Sequence, residues 1–188
     1  MKGWSAPSNG SSRENRNDAW QREMTIRQAA EADFDAMWAI FQDVIAPGDT
    51  YVFAPDTSRE DAFQYWFGPG VASYAAEADG RIAGMYKIVA NHRDRGSHVA
   101  NASFMVAPAA SGQGIGRQMG EHCLREARRR GFRAMQFNFV VSTNAAAIAL
   151  WQRLGFAIVG TLPNAFAHAA LGDVDAYVMY RVLDDQTP

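Results

Sequence analysis

Apolar positions along the chain switch between a period of two and a period of three to four, and the order of those stretches predicts a mixed sheet carrying helices. Residues 24–28 alternate as a first strand. Phe34, Met37, Trp38, Phe41 and Ile45 then recur at helical spacing, with Asp33 as the expected N-cap and Pro47 with Gly48 as the stop. A second helix is expected through Phe67, capped by Thr57 with Glu60 three residues on. Residues 71–78 and 81–89, on either side of Asp79 and Gly80, read as an antiparallel hairpin, and residues 98–106 as a long strand. Ile115, Met119, Cys123 and Ala127 begin a helix that Gly131 ends; residues 134–141 follow as a strand, and Asn144 can cap a helix that closes at Gly155. Residues 156–160 and 176–183 are read as two further strands around a loop containing Pro163, Phe166, His168 and Gly172. Residues 1–23 are polar and without period, which predicts a flexible tail ahead of a single domain over residues 24–188.

The segment from Asn101 to Arg117 organises the rest. The apolar run Phe104, Met105, Val106 must stop as a ladder at Pro108, which lacks an N–H. Gly112, Gly114 and Gly116 then alternate just before a helix begins. Unpaired amides and the positive end of a helix dipole at such a loop suit a diphosphate. Spacing decides among the known cradles. The GxxxxGK[ST] loop lacks its lysine and hydroxyl here, and GxGxxG would need a glycine at Arg117.

The remaining pattern is VxPxxxGxGxG, followed by NxxAxxLWxxLGF from Asn144 to Phe156. Together these resemble the GNAT superfamily of acetyl-CoA-dependent N-acetyltransferases, in element order from about Thr25 to Leu183. The resemblance implies an α/β fold of mixed α+β type: a twisted sheet of about seven strands, splayed between the fourth and fifth, with about four flanking helices. It also implies a transferase, specifically an acyltransferase, with acetyl-CoA as cofactor. On this likeness the main chain of Phe104, Met105 and Val106 pairs with the pantetheine arm. The loop Ser111, Gly112, Gln113, Gly114, Ile115, Gly116 and Arg117 holds the diphosphate, and Asn144, Ala147 and Trp151 border the cofactor. Two departures stand out. Ser111 replaces the usual Arg or Gln that opens the loop, and Trp151 replaces a tyrosine that protonates the departing thiolate, which an indole N–H cannot do.

Composition narrows the alternatives. With 48% hydrophobic and 20% charged residues and a net charge of −2, nothing global calls for nucleic acid, and no apolar run is long enough for a membrane span. Arg125, Arg128, Arg129, Arg130 and Arg133 cluster, but Glu121 and Glu126 precede Arg125 and Arg130 by four residues as expected surface pairs. The single cysteine, Cys123, falls on the apolar side of its helix and reads as a core thiol in a cytoplasmic protein. No metal site is assigned.

Polar residues inside apolar strands are the acceptor candidates. His98, Asn101, Ser103 and Asn138 either satisfy one another across the sheet or line the splay, with His98 and Asn138 as the catalytic candidates in the second case. Tyr51, Phe139, Phe166 and His168 are expected to flank the acceptor, while His92 and His122 read as surface residues. The amide-rich surroundings favour a small amine such as an amino acid, attacked directly in a ternary complex. A CoA-binding module without turnover is the alternative, and a homodimer is the expected assembly.

Overall fold

The computed structural model describes residues 24–183, so the tail expected over residues 1–23 lies outside the described residues. The chain runs β1 (Thr25–Gln28), α1 (Phe34–Ile45), α2 (Arg59–Phe67), β2 (Ala72–Ala78), β3 (Arg81–Ala90), β4 (Val99–Val106), α3 (Ile115–Arg129), β5 (Ala134–Val141), α4 (Ala145–Arg153), β6 (Ala157–His168) and β7 (Gly172–Val182). The seven strands make one sheet in the order β1-β2-β3-β4-β5-β7-β6. The expected architecture is therefore present.

Its decisive feature is the pairing of β4 with β5. The two strands run parallel but meet only at Val99 opposite Ala134 and Ala100 opposite Met135, after which they separate. A register shift between Phe137 and Val140 bends β5 against β7 over the stretch where it leaves β4.

The two sheet faces are packed differently. On one face Tyr86, Met135 and Phe137 of the sheet pack with Met119 and Cys123 of α3 and Trp151 of α4; on the other Met85 and Met105 pack with Met37 and Phe41 of α1 and Trp66 of α2. Each fully buried side chain of this size contributes about 1.5–3 kcal/mol relative to exposure, so the strands on both sides of the splay are firmly held. Helices α3 and α4 also touch closely, because a Cβ on Gly120 would stand 2.5 Å from the Leu154 side chain.

Several local expectations shift. Ser58, not Thr57, caps α2: its Oγ accepts the Asp61 amide at 3.0 Å, while the Thr57 hydroxyl donates to the Ala54 carbonyl at 2.6 Å. The Asp33 carboxylate turns back to Arg27 and the Ala30 amide and makes no cap bond to α1. The loop expected between the last two strands is instead a long hairpin, because a register shift between Leu162 and Phe166 takes up Pro163 and lets pairing continue to His168 opposite Gly172. The helix-surface pairs form in another frame, Arg117 with Glu121 and Glu126 with Arg129, leaving Arg130 to donate to the Tyr74 hydroxyl.

Candidate active site

The ladder between β3 and β4 fixes which backbone groups face the splay. The Asn91 amide donates to the Val99 carbonyl at 2.8 Å and the Ala107 amide to the Ala83 carbonyl at 2.9 Å. Antiparallel alternation between these two bonds points the odd-numbered main-chain groups of β4 at β3 and the even-numbered ones at β5. Phe104 and Val106 thus present the open edge. Met105 does not: its main chain serves β3 and its side chain is buried among α1 and α2. The expectation of three contiguous edge residues is corrected by this parity.

Tyr51, from the loop between α1 and α2, enters the splay. Its hydroxyl donates to the Phe104 carbonyl at 2.5 Å and accepts the Phe104 amide at 3.1 Å. Burial raises the phenol far above its ordinary range, so it stays protonated.

A cavity opens on each side of that tyrosine. One, of about 120 Å³, lies toward α4 against Phe104, Val141, Asn144 and Trp151. The other, of about 150 Å³, lies toward α2 against Phe53, Tyr65, Asn101, Ser103 and Asn138. Among the described residues, neither lining includes a carboxylate, an imidazole or a cationic side chain.

The glycine loop has the form of an anion cradle. Gly112 and Gly114 have φ of 76° and 80°, where a side chain is strained, and a Cβ on either would meet nothing within 4 Å. Gly114 is the N-cap of α3 and supplies no side-chain cap, so the amides of the first turn remain for an incoming acceptor; no acidic residue stands in that turn. Gly116 has another task, since a Cβ there would lie 3.5 Å from Leu150 and 3.9 Å from Val106. Ile115 is buried in the core, Gln113 donates to the Ala109 carbonyl, and Arg117 is exposed and paired with Glu121. Ser111 is exposed just ahead of the loop glycines. Asn144 caps α4 by accepting the Ala147 amide at 3.1 Å and lines the first cavity with Trp151. Trp151 is packed between the rings of Phe104 and Phe137, each 4.7 Å away, and forms a wall.

The acceptor candidates separate into two groups. Asn101, Asn138 and Phe139 line the second cavity with Tyr51. The Asn138 amide is also tied at both ends, accepting from Gln136 at 2.8 Å and donating to Asn91 at 2.7 Å. Phe166 is buried beside Phe139, with His168 next to it at 6.2 Å on the β6–β7 hairpin. His98 stands apart. It precedes β4 at the end where β4 and β5 are paired, with Nδ1 3.1 Å from the Arg95 carbonyl. Six residues of strand, about 20 Å, separate it from Phe104. His122, expected at the surface, is half-buried and bonds the Tyr86 hydroxyl at 2.5 Å.

The sequence reading missed Lys87. This buried residue of β3 stands opposite Ser103 of β4, and its Nζ donates to the Tyr65 carbonyl at 2.7 Å and lies 3.1 Å above the Tyr65 ring. The Tyr65 and Ser103 hydroxyls are 2.5 Å apart. Burial lowers the ammonium to about 7. A signal existed: Lys2 and Lys87 are the only lysines of the chain, and Lys87 interrupts an apolar strand.

Comparison with known proteins agrees with this geometry. The model of the acetyltransferase (GNAT) family matches residues 17–156. N-acetyltransferase aca1 of Schizosaccharomyces pombe is 30% identical over 151 residues, covering 71% of this chain and 72% of that protein. A Bacillus subtilis relative, YwnH, named as a phosphinothricin acetyltransferase, is 28% identical over 146 residues, covering 75% and 88%. The structure of a GCN5-related N-acetyltransferase from Kribbella flavida superposes with a TM-score of 0.80 at 41% identity, covering 85% of this chain and 97% of that one. That of yncA from Salmonella typhimurium, solved with its cofactor acetyl-CoA, gives 0.73 at 26% identity, covering 88% and 97%. A splayed β4 edge, a glycine loop opening α3 and a family match over most of the chain lead to one conclusion: this chain belongs to the GNAT family and is an N-acetyltransferase that uses acetyl-CoA.

Proposed function

We propose that the acceptor is the amine of a small molecule of amino-acid type, which attacks directly while both substrates are held across the splay. The observation that carries this reading is the second cavity. At about 150 Å³, bordered by aromatic rings and lined by Asn101, Ser103 and Asn138, it suits a compact molecule bearing both a carboxylate and an amine. A polyamine or lysine-rich peptide calls for carboxylates, which the lining does not offer among the described residues. The YwnH name points the same way.

The residues divide the work. Acetyl-CoA, when bound, supplies the acetyl group as an activated thioester. The amides around Gly112 and Gly114 would hold its diphosphate, and the main chain of Phe104 and Val106 its arm. The Phe104 N–H points into the splay, where it donates to Tyr51; passed from that phenol to the thioester, it would polarise the carbonyl oxygen. Trp151, Phe137 and Phe104 exclude water. Asn101 and Asn138 orient the acceptor, and Phe166 and His168 on the hairpin close the outer side. Cys123 is fully buried, which favours direct attack over an acyl-cysteine. Thiol release measured over free amino acids, spermidine, a lysine-rich peptide and an alanine-initiated peptide tests the reading. Preference for an amino acid is expected; preference for spermidine or either peptide would overturn it.

A further inference from the structure

An acceptor amine arrives at neutral pH as an ammonium and must lose a proton before its nitrogen can attack. Among the described residues, neither cavity is lined by a carboxylate or imidazole, and the two phenols are held protonated: burial raises both Tyr51 and Tyr65. A wall that carries hydroxyls gives the proton a route out of the cavity. One wall of the acceptor cavity is the hydroxyl pair of Tyr65 and Ser103; Lys87 stands opposite Ser103 in the ladder with its Nζ over the Tyr65 ring.

We propose that Lys87 is the positioning residue that receives the acceptor's proton, through the Ser103 and Tyr65 hydroxyls. The inference rests on the small-amine reading above. In the balanced step, the acceptor ammonium becomes an amine, each hydroxyl passes on one proton as it gains another, and neutral Lys87, its Nζ turning from the Tyr65 carbonyl and ring face to the hydroxyl pair, becomes an ammonium. No oxidant or reductant takes part. The surroundings fit a group that changes charge. Facing Lys87 are Ser73 of β2, whose hydroxyl is committed to the Trp66 carbonyl, Ser103 of β4 and Tyr65 of α2. None is a carboxylate, and desolvation alone accounts for the lowered ammonium. The Tyr65 carbonyl and ring face steady the charged form once it exists. An arginine could hold the same carbonyl but could not give up its proton.

Two readouts test this on the full chain. With lysine labelled at Cε, the spectrum contains only Lys2 and Lys87, and the Lys87 signal should titrate near 7. A midpoint near the ordinary lysine value would overturn the proposal. The pH dependence of kcat/KM is then recorded for each amine that turns over. Its acidic limb should follow the Lys87 midpoint in the wild type and move upward by about one unit or more in Lys87→Met. Should that variant fold poorly, Ser103→Ala interrupts the relay and should move the limb in the same direction, with acetyl-CoA affinity within about twofold of wild type. A limb that stays in place in either folded variant means Lys87 only braces Tyr65. An acceptor outside the amino-acid class would overturn the reading of the cavity, whereas a fixed limb would overturn the role of Lys87.

Discussion

The phenol of Tyr51 makes both hydrogen bonds that the main chain of Phe104 has to offer on the splay side, donating to its carbonyl at 2.5 Å and accepting its amide at 3.1 Å. That edge is where the cofactor's arm would pair, so the side chain occupies a place that the cofactor needs. Tyr51→Phe keeps the ring and removes the competing bonds. With about 1 kcal/mol net for the pair, acetyl-CoA affinity by calorimetry should rise about fivefold. Weaker binding in the folded variant would show Tyr51 to be a cofactor contact and not a competitor.

Gly114 opens α3 at φ 80° with open space where a Cβ would stand. In Gly114→Val a branched side chain both strains the turn and fills the approach to the helix amides, so acetyl-CoA affinity should fall at least about tenfold, 1.4 kcal/mol. Unchanged affinity with an intact circular dichroism spectrum would contradict the cradle.

Trp151 is 7% exposed and packed at a tilt between rings, and its N–H is not acidic. Trp151→Phe retains an aromatic wall, so kcat should drop by less than about tenfold. A loss of about a hundredfold with normal cofactor binding would instead reveal an essential indole hydrogen bond.

Lys87 also leaves a mark on stability. Its ammonium is disfavoured in the folded state, lowered to about 7 from 10.5, so between those values the unfolded chain binds more protons than the folded one. Its contribution therefore rises with pH across that window and is lost as pH falls toward 7. The melting temperature of the wild type minus that of Lys87→Met should increase from pH 7 to pH 10. A flat difference would mean that Lys87 is not desolvated as its burial indicates.

Periodic and local signals carried much of this fold. The helical spacing of Phe34, Met37, Phe41 and Ile45, the alternating glycines and the Asn144 cap could be read because each depends on neighbours a few residues away. What escaped depends on distance in sequence or on exact frame. Tyr51 meets Phe104 across 53 residues, and Lys87 meets Tyr65 across 22. By sequence His98 reads as part of the same apolar strand as Asn101, whereas it precedes β4, at the end that the β4–β5 pairing closes. Pro163 suggested a loop because proline leaves a ladder, yet a bulge in β6 absorbs it. Ser58 rather than Thr57 caps α2 because the two adjacent hydroxyls are equivalent by composition and only the backbone angles choose between them.

In the proposed reaction, amine and acetyl donor meet in one complex across the splay, without an acyl-enzyme. Two-substrate initial velocities, with acetyl-CoA varied at several fixed concentrations of the best amine from the panel, test it most directly. Intersecting double-reciprocal lines are the result this site predicts. Parallel lines, the pattern of a ping-pong reaction through a covalent enzyme intermediate, would contradict it.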